Sequence, residues 1–151
     1  LMVGLSQAGK PRKMFQITGG GFVCTGPNDE SVMEMMDWVR YRIGFYGSTK
    51  AYWPVFEQHD LLDLGEELNH LSKNDGWGEM ASRITDDVVR QFAAVGRHDE
   101  IVAAIEDRFG GLTDAIGASA SPEIPADLPQ DVIQDIQSIP TLYRAQPVSA
   151  V

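Results

Sequence analysis

Four hydroxyl-bearing side chains gather in one short stretch of the chain, at Tyr46, Ser48, Thr49 and Tyr52. Hydroxyl groups donate and accept hydrogen bonds, so such a group could face a small bound molecule. The stretch follows a predicted long helix and precedes Trp53-Pro54, and a purely structural linker needs no such density of hydroxyls. The alternative is that Ser48 or Thr49 caps a new helix while the aromatic rings pack together.

The spacing of other polar residues supports little further chemistry. His59 and His70 have no histidine or cysteine three or four positions away, which disfavours a zinc site. The acidic residues between 57 and 67 lack the spacing of a calcium loop and predict a solvated surface. No serine lies in the glycine pattern of a nucleophile elbow. The sequence therefore predicts no metal site and no catalytic residue within this chain.

The elements that would position the hydroxyl groups alternate between strands and helices. Hydrophobic patterning predicts strands at residues 15–24, 92–96 and 113–118, with mainly helical structure between them. Asn28 is expected to cap the first long helix, and a second amphipathic helix is expected over residues 80–92. The order of strand, helix and strand is typical of a parallel sheet.

The triplet of glycines at residues 19–21 leaves two alternatives. Within a strand, it would mark a bend, a bulge or the close approach of another part of the chain. In a tight turn, it would join an antiparallel hairpin instead.

Two later helices are also predicted. One begins near Arg97 and stops at the glycines of residues 110–111. Asp127 is expected to cap the other, because an aspartate precedes a helical apolar pattern formed by Val132, Ile133, Ile136 and Ile139.

Length and composition exclude several classes of protein. The formal net charge of −10 disfavours binding to nucleic-acid phosphates or an anionic membrane surface. A single cysteine, Cys24, cannot form an internal disulfide and suits a reducing compartment, so a cytoplasmic location is expected. The 151 residues are too few for a whole eight-stranded β/α barrel, which needs about 250. The chain begins like a helix already under way, and we expect it to be a piece of something longer.

The segment RIGFYGSTKAY at residues 42–52 resembles the luciferase-like flavin monooxygenase superfamily. It is most similar to the branch that uses the deazaflavin coenzyme F-420. The resemblance continues in order through residues 63–69, 77–80, 84–88 and 92–114. Each piece is weak alone, but the ordered set is fairly specific.

The resemblance implies an α/β fold, since the family forms a (β/α)8 TIM-type barrel. Residues 1–118 would be its C-terminal part, comprising about strands 6–8 with a long helical insertion between strands six and seven. Residues 119–151 would add a loop, a terminal helix and an irregular tail.

The same resemblance implies an oxidoreductase or monooxygenase in the full-length parent. It would use F-420 or FMN for hydride transfer or oxygenation of a small organic substrate. Most cofactor contacts lie in the first two-thirds of the family chain, so this chain alone is expected to be inactive and to bind no cofactor tightly. The expected partners are the substrate, the N-terminal part of the same barrel and a second copy, with no nucleic acid and no membrane.

The resemblance also suggests where this chain would meet a ligand. The hydroxyl groups of residues 46–52 would line the substrate or cofactor pocket. The chain departs from the family pattern at Lys50, where proline is usual, and at Arg97-His98, where a small residue or threonine often precedes proline. Gly96 and Arg97 could contact an anion at a helix N-terminus, or Arg97 could face solvent.

A second hypothesis belongs to another functional class. The chain could be a standalone, acidic α+β interaction module without enzymatic activity, which dimerises through the open edge of its sheet. The fragment hypothesis predicts an exposed apolar edge and poor solubility, whereas the module hypothesis predicts a cooperatively folded dimer.

Overall fold

The computed structural model describes residues 2–118 and 128–144, which contain a parallel sheet of three strands. The strands are β1 (Thr18–Cys24), β2 (Ala93–Val95) and β3 (Ala115–Ala118). Both strand pairings are parallel, so the prediction of three parallel strands is confirmed. The antiparallel hairpin is wrong, because the glycine triplet lies inside β1.

β1 is the central strand, and its two halves have different partners. Residues 18–21 pair with β3, and residues 22–24 pair with β2, so the sheet is two strands wide at each level. The order is β2–β1–β3. Consecutive strands of a barrel are neighbours, which would place β2 in the middle. The observed order differs because β3 occupies the edge of β1 that a preceding barrel strand would take.

Helices make up most of the remaining described chain, as predicted. Short 3-10 turns occur at Arg12–Met14 and Lys50–Tyr52. No helix within residues 2–118 and 128–144 is long and apolar enough to cross a membrane. The helices are α1 (Met2–Gln7), α2 (Asp29–Gly47), α3 (Trp53–Glu57), α4 (Leu62–Lys73), α5 (Trp77–Arg83), α6 (Asp86–Phe92), α7 (Ile101–Phe109) and α8 (Gln130–Ser138).

The ends of the helices follow from local side-chain chemistry. Asn28 caps α2 as predicted, since its Oδ1 accepts a hydrogen bond from Ser31 N at 2.9 Å. The prediction of a single helix over residues 80–92 is wrong, because the helical structure is interrupted between α5, which ends at Arg83, and α6, which begins at Asp86. Thr85 causes the break: its backbone is extended, and its Oγ1 accepts from Val88 N at 3.3 Å. Asp127 lies outside the described residues.

The helices cover both faces of the sheet. Side chains alternate along a strand, so neighbouring residues of β1 face opposite sides. Cys24 packs with α2, α4, α5 and α6, whereas Val23 packs with α7 and α8. The connection from β1 to β2 therefore passes over one face, and the connection from β2 to β3 passes back over the other. The second connection runs across the sheet in the opposite direction to the first and lies on the opposite face. The two crossovers therefore have the same hand.

The glycine triplet permits the close approach that one of the sequence alternatives predicted. A Cβ atom on Gly19 would lie 2.5 Å from Cγ2 of Thr113, and one on Gly21 would lie 2.6 Å from Cζ of Phe109. A Cβ atom on Gly20 would meet nothing within 4 Å. Two of the three glycines are therefore required, because β1 packs closely against the end of α7 and the segment that follows it.

Alanine substitutions at neighbouring glycines should have different effects on stability. Gly21→Ala should lower the free energy of unfolding by about 1–3 kcal/mol, because the new methyl group overpacks the site against Phe109. Gly20→Ala should leave stability unchanged or raise it by up to about 1 kcal/mol, because its methyl group enters open space. Urea unfolding of the two variants measures the difference, and equal destabilisation would contradict it.

Candidate functional site

Ser48 uses its hydroxyl group to complete the end of α2. It is only 6% exposed, and its Oγ donates to the carbonyl oxygen of Phe45 at 2.8 Å. Its backbone N–H donates to Gly44 O at 3.0 Å, and its own carbonyl accepts from Asn69 Nδ2 at 2.6 Å. The buried hydroxyl is therefore a structural group at the carboxyl end of α2, and it does not cap a new helix as the alternative expected.

Tyr46 and Tyr52 are brought together, as their place in one segment suggested. Their ring centroids lie 5.1 Å apart in an edge-to-face arrangement. The hydroxyl of Tyr46 accepts from Arg42 Nη2 at 2.9 Å, and the Arg42 guanidinium lies 5.2 Å from the centre of the same ring. Tyr52 is 45% exposed, and Thr49 is exposed at the start of the 3-10 turn. Thr49 and Tyr52 are thus the most exposed members of this group.

A glycine sets the geometry of this segment. A Cβ atom on Gly47 would lie 2.5 Å from Cζ of Phe56 and 2.8 Å from Cδ1 of Leu68. The Gly47 carbonyl accepts a hydrogen bond from Trp53 Nε1 at 2.9 Å. α2, α3 and α4 can therefore meet closely at one point, and the chain turns sharply through residues 48–52.

Gly96 and Arg97 lie at the carboxyl ends of β2 and β1. Beyond the strands, Gly96 N donates to Cys24 O at 3.1 Å, and His98 N donates to Gly26 O at 3.0 Å. These backbone hydrogen bonds hold the two strand ends together, and they occupy N–H groups that a bound anion would need.

The chain's own carboxylates surround Arg97. Its backbone N–H donates to Glu100 Oε2 at 3.0 Å, and its Nη2 lies 3.1 Å from Glu100 Oε1. Asp99 and Asp29 lie 3.4 and 3.5 Å from the same guanidinium. The charges of Glu100, Asp99 and Asp29 raise the pKa of Arg97. Glu100 therefore takes the position in which an external anion would meet Arg97.

The two predicted groups of site residues are far apart. Arg97 contacts Asp29 in the first turn of α2, whereas Tyr46 lies in its last turn. A helix of 19 residues is about 28 Å long. The segment of residues 46–52 and the pair Gly96 and Arg97 cannot contact the same small molecule.

Thr25 is a residue that the sequence patterns did not single out. It follows β1 directly, and its buried Oγ1 has no hydrogen-bond partner within the described part of the chain. It therefore lies at the carboxyl end of the central strand, the edge at which ligands of parallel α/β sheets bind. Its position immediately after a buried apolar run was the only sequence signal.

Among the described residues, Asp114 is the carboxylate that accepts the most hydrogen bonds, and the sequence patterns did not single it out either. Its side chain is 1% exposed. Oδ2 accepts from Arg12 Nη2 at 2.7 Å and from Ile17 N at 2.8 Å, while Oδ1 accepts from Leu142 N at 3.0 Å and from Tyr143 N at 2.8 Å. It also borders a cavity of about 400 Å³ between α7, β3 and α8. With four donors bound, the carboxylate is a structural clamp.

The chain belongs to the luciferase-like monooxygenase family, since the family's sequence model matches residues 2–114. It is 38% identical over 116 residues to an uncharacterized protein of Mycobacterium bovis and, equally, to an uncharacterized protein of Mycobacterium tuberculosis. Those matches take in 77% of this chain and 34% of each relative, so the chain spans about a third of the length of the curated relatives it matches. No solved structure matches it significantly. The family resemblance seen in the sequence is confirmed.

Replacing single hydroxyl groups should separate Ser48 from Thr49. Ser48→Ala should lower the free energy of unfolding by about 1 kcal/mol, because a buried side-chain hydrogen bond is lost. Thr49→Ala should change it by less than about 0.5 kcal/mol, since this side chain is exposed and makes no capping hydrogen bond. Thermal melts of both variants provide the measurement, and equal stabilities would show that the Ser48 hydroxyl is dispensable.

Asp114 should make the stability of the folded state depend on pH. Burial opposes its ionisation, but hydrogen bonds from Ile17 N, Arg12 and Tyr143 N outweigh burial and lower the pKa from 3.8 to about 2. The native state thus favours the carboxylate, and this stabilisation is present above pH 3.8 and is lost as the pH falls through about 2.

The comparison of Asp114→Asn with the native chain isolates this contribution. The variant should melt at lower temperature at pH 7, and the difference should shrink as the pH falls from about 4 to about 2. Asp107→Asn, at an exposed position on α7, is the control and should follow the native chain. A difference between Asp114→Asn and the native chain that stays constant with pH would contradict the assignment.

Proposed function

We propose that this chain is part of a luciferase-like oxidoreductase that uses F-420 or FMN for hydride transfer or oxygenation of a small organic substrate. The family match over residues 2–114 carries this proposal. Because the chain spans about a third of the relatives' length, the activity is assigned to the whole protein and not to this chain alone. A cytoplasmic location belongs to the same proposal and is supported by the single free Cys24.

For the whole protein we propose a (β/α)8 barrel in which β1, β2 and β3 are about strands six to eight. The parallel pairing of β1 with β2 across a long helical connection supports this placement. In such a barrel, β3 would pair with β2, and another strand would take the edge of β1 that β3 occupies here.

The carboxyl ends of β1 and β2 suit the polar edge of a flavin or deazaflavin ring better than a phosphate group. Thr25 Oγ1 is a buried hydroxyl without a partner in the described residues, so it can donate one hydrogen bond. Asp29, Asp99 and Glu100 surround Arg97 and would repel a phosphate. When bound, the cofactor supplies the redox chemistry. Thr25 would hold the ring, and the phosphate would bind elsewhere in the whole protein.

A role for residues 46–52 on the substrate side is a further part of the proposal. Tyr46 and Ser48 have their hydroxyls in internal hydrogen bonds, so the accessible Thr49 and Tyr52 are the members that would contact substrate. In the whole protein, Thr49→Ala should then raise KM or lower kcat by about tenfold with an unchanged Tm.

The standalone interaction module is the second candidate, and one observation favours it. Helices cover both faces of the sheet, as they do in self-contained α/β domains. In that case the isolated chain would melt cooperatively as a dimer and would bind neither cofactor.

Cofactor titrations test the proposed function. The whole protein should bind F-420 or FMN at micromolar concentrations, whereas this chain alone should bind neither. Thr25→Val in the whole protein should weaken binding about 2- to 10-fold, which corresponds to one neutral hydrogen bond, while Thr25→Ser should bind normally. Fluorescence gives both affinities. Micromolar binding by this chain alone would contradict the assignment of the site to the whole protein.

A further inference from the structure

One side of α2 carries an arginine next to two aromatic rings. Trp38, Arg42 and Tyr46 are spaced four residues apart, so they lie along the same side of the helix. The Arg42 guanidinium lies 5.7 Å from the centre of the Trp38 ring and 5.2 Å from the centre of the Tyr46 ring. Its Nη2 donates to the Tyr46 hydroxyl at 2.9 Å. The two rings stabilise the cation and hold the guanidinium in place.

Arg42 lacks the acceptor that its charge and its burial require. A guanidinium has several N–H donors, and the Tyr46 hydroxyl is the acceptor that the described residues supply. Nε of Arg42 is buried and has no hydrogen-bond partner in that part of the chain. No described carboxylate forms an ion pair with Arg42, whereas Arg12, Arg40 and Arg97 each have one. Buried donors and buried charges are normally paired, which points to a missing acceptor.

The side of α2 that carries Arg42 points away from α5 and α6. Arg40, which lies about 200° around the helix from Arg42, donates to the carbonyl oxygen of Ile84 just before α6. A Cβ atom on Gly44 would lie 3.1 Å from Cβ of Met80 in α5. These two helices therefore cover one side of α2. Because α6 leads directly into β2, the covered side is the β2 side, and Arg42 lies toward the other edge of β1.

We propose that this side of α2 binds the remaining part of the whole protein, and that a carboxylate of that part pairs with Arg42. The inference rests on the proposed function, in which this chain is one part of a barrel. The outer ring of a barrel places another helix beside α2, over the strand that would take the second edge of β1. Since the chain spans about a third of the relatives' length, the rest of the protein supplies that unit. A carboxylate is the acceptor that fits, because its two oxygens match the guanidinium fork and neutralise its charge.

Removing the guanidinium should affect the whole protein and this chain alone in different ways. Arg42→Met keeps an unbranched apolar side chain beside the two rings but removes every donor. In the whole protein it should lower Tm by about 3 °C or more, because a buried carboxylate loses its partner. In this chain alone it should leave Tm unchanged or raise it, since a buried donor without a partner is removed. An equal loss in both would place the acceptor inside this chain and overturn the proposal, as would an unchanged Tm of the whole protein.

Arg40→Met is the matched control on the same helix. The acceptors of Arg40 are Asp37, Asp86 and the carbonyl oxygen of Ile84, which all lie in this chain, so Tm should fall in both proteins. Should Arg42→Met prevent the whole protein from folding, Arg42→Lys takes its place. It keeps the charge but loses the fork, so it should lower Tm of the whole protein and not that of this chain alone. Equal shifts would overturn the proposal.

Melting at different pH values tests whether the acceptor is a carboxylate. The Tm difference between the native whole protein and its Arg42→Met variant should be full above about pH 4 and shrink below it, because the carboxylate then becomes protonated. The contacts of Arg42 with Trp38 and Tyr46 involve no carboxylate and would not produce this loss. A difference that stays constant down to about pH 2 would overturn the assignment. These melts need no cofactor, so a whole protein that binds neither F-420 nor FMN but shows the Tm pattern refutes the proposed activity and supports this surface.

Discussion

The buried carboxylate of Asp114 fixes how the first and last strands meet. Ile17 precedes β1 and Asp114 precedes β3, and the two residues bond reciprocally: Ile17 N donates to the carboxylate, and Asp114 N donates to Ile17 O at 2.8 Å. Arg12 supplies the compensating charge. The other carboxylate oxygen binds the backbone of Leu142 and Tyr143. One side chain thus places β3 on the edge of β1 and holds the segment after α8 against it, which brings α7 and α8 onto the second face of the sheet.

Local patterns predicted the elements well because they depend on local physics. The alternation of apolar residues located the strands, and the amide of Asn28 located the start of α2. The same kind of signal was present at Thr85 but was outweighed by the helical spacing of the apolar residues around it. Strand order was not predictable, because periodicity shows which residues lie in strands but not which edge they pair with. Asp114 and Arg12 are 102 positions apart, and no local signal connects them.

The candidate site shows the same contrast between local features, which the sequence predicts, and long-range contacts, which it does not. The hydroxyl of a serine that follows a helix can bond to a carbonyl oxygen of that helix or to a ligand. The hydrogen bond from Ser48 Oγ to Phe45 O, which the sequence does not reveal, decides for the helix. Arg97 at a helix start can bind an anion only if its charge is free, and the structure surrounds it with carboxylates. The length of α2 separates the two predicted groups. Within the described residues, the buried hydroxyl of Thr25 has no hydrogen-bond partner, and no sequence pattern singled it out.

The staggered sheet also determines how the structure opens. Residues 22–24 of β1 pair with β2 and include Val23 and Cys24, which lie in the cores on opposite faces. Residues 18–21 pair with β3, contain the three glycines and depend on the Asp114 carboxylate for their register. Local opening can thus release the first half of the strand while the second half stays paired. Amide hydrogen exchange would then slow along a single strand, from residue 18 to residue 24, so that two cooperative units share β1.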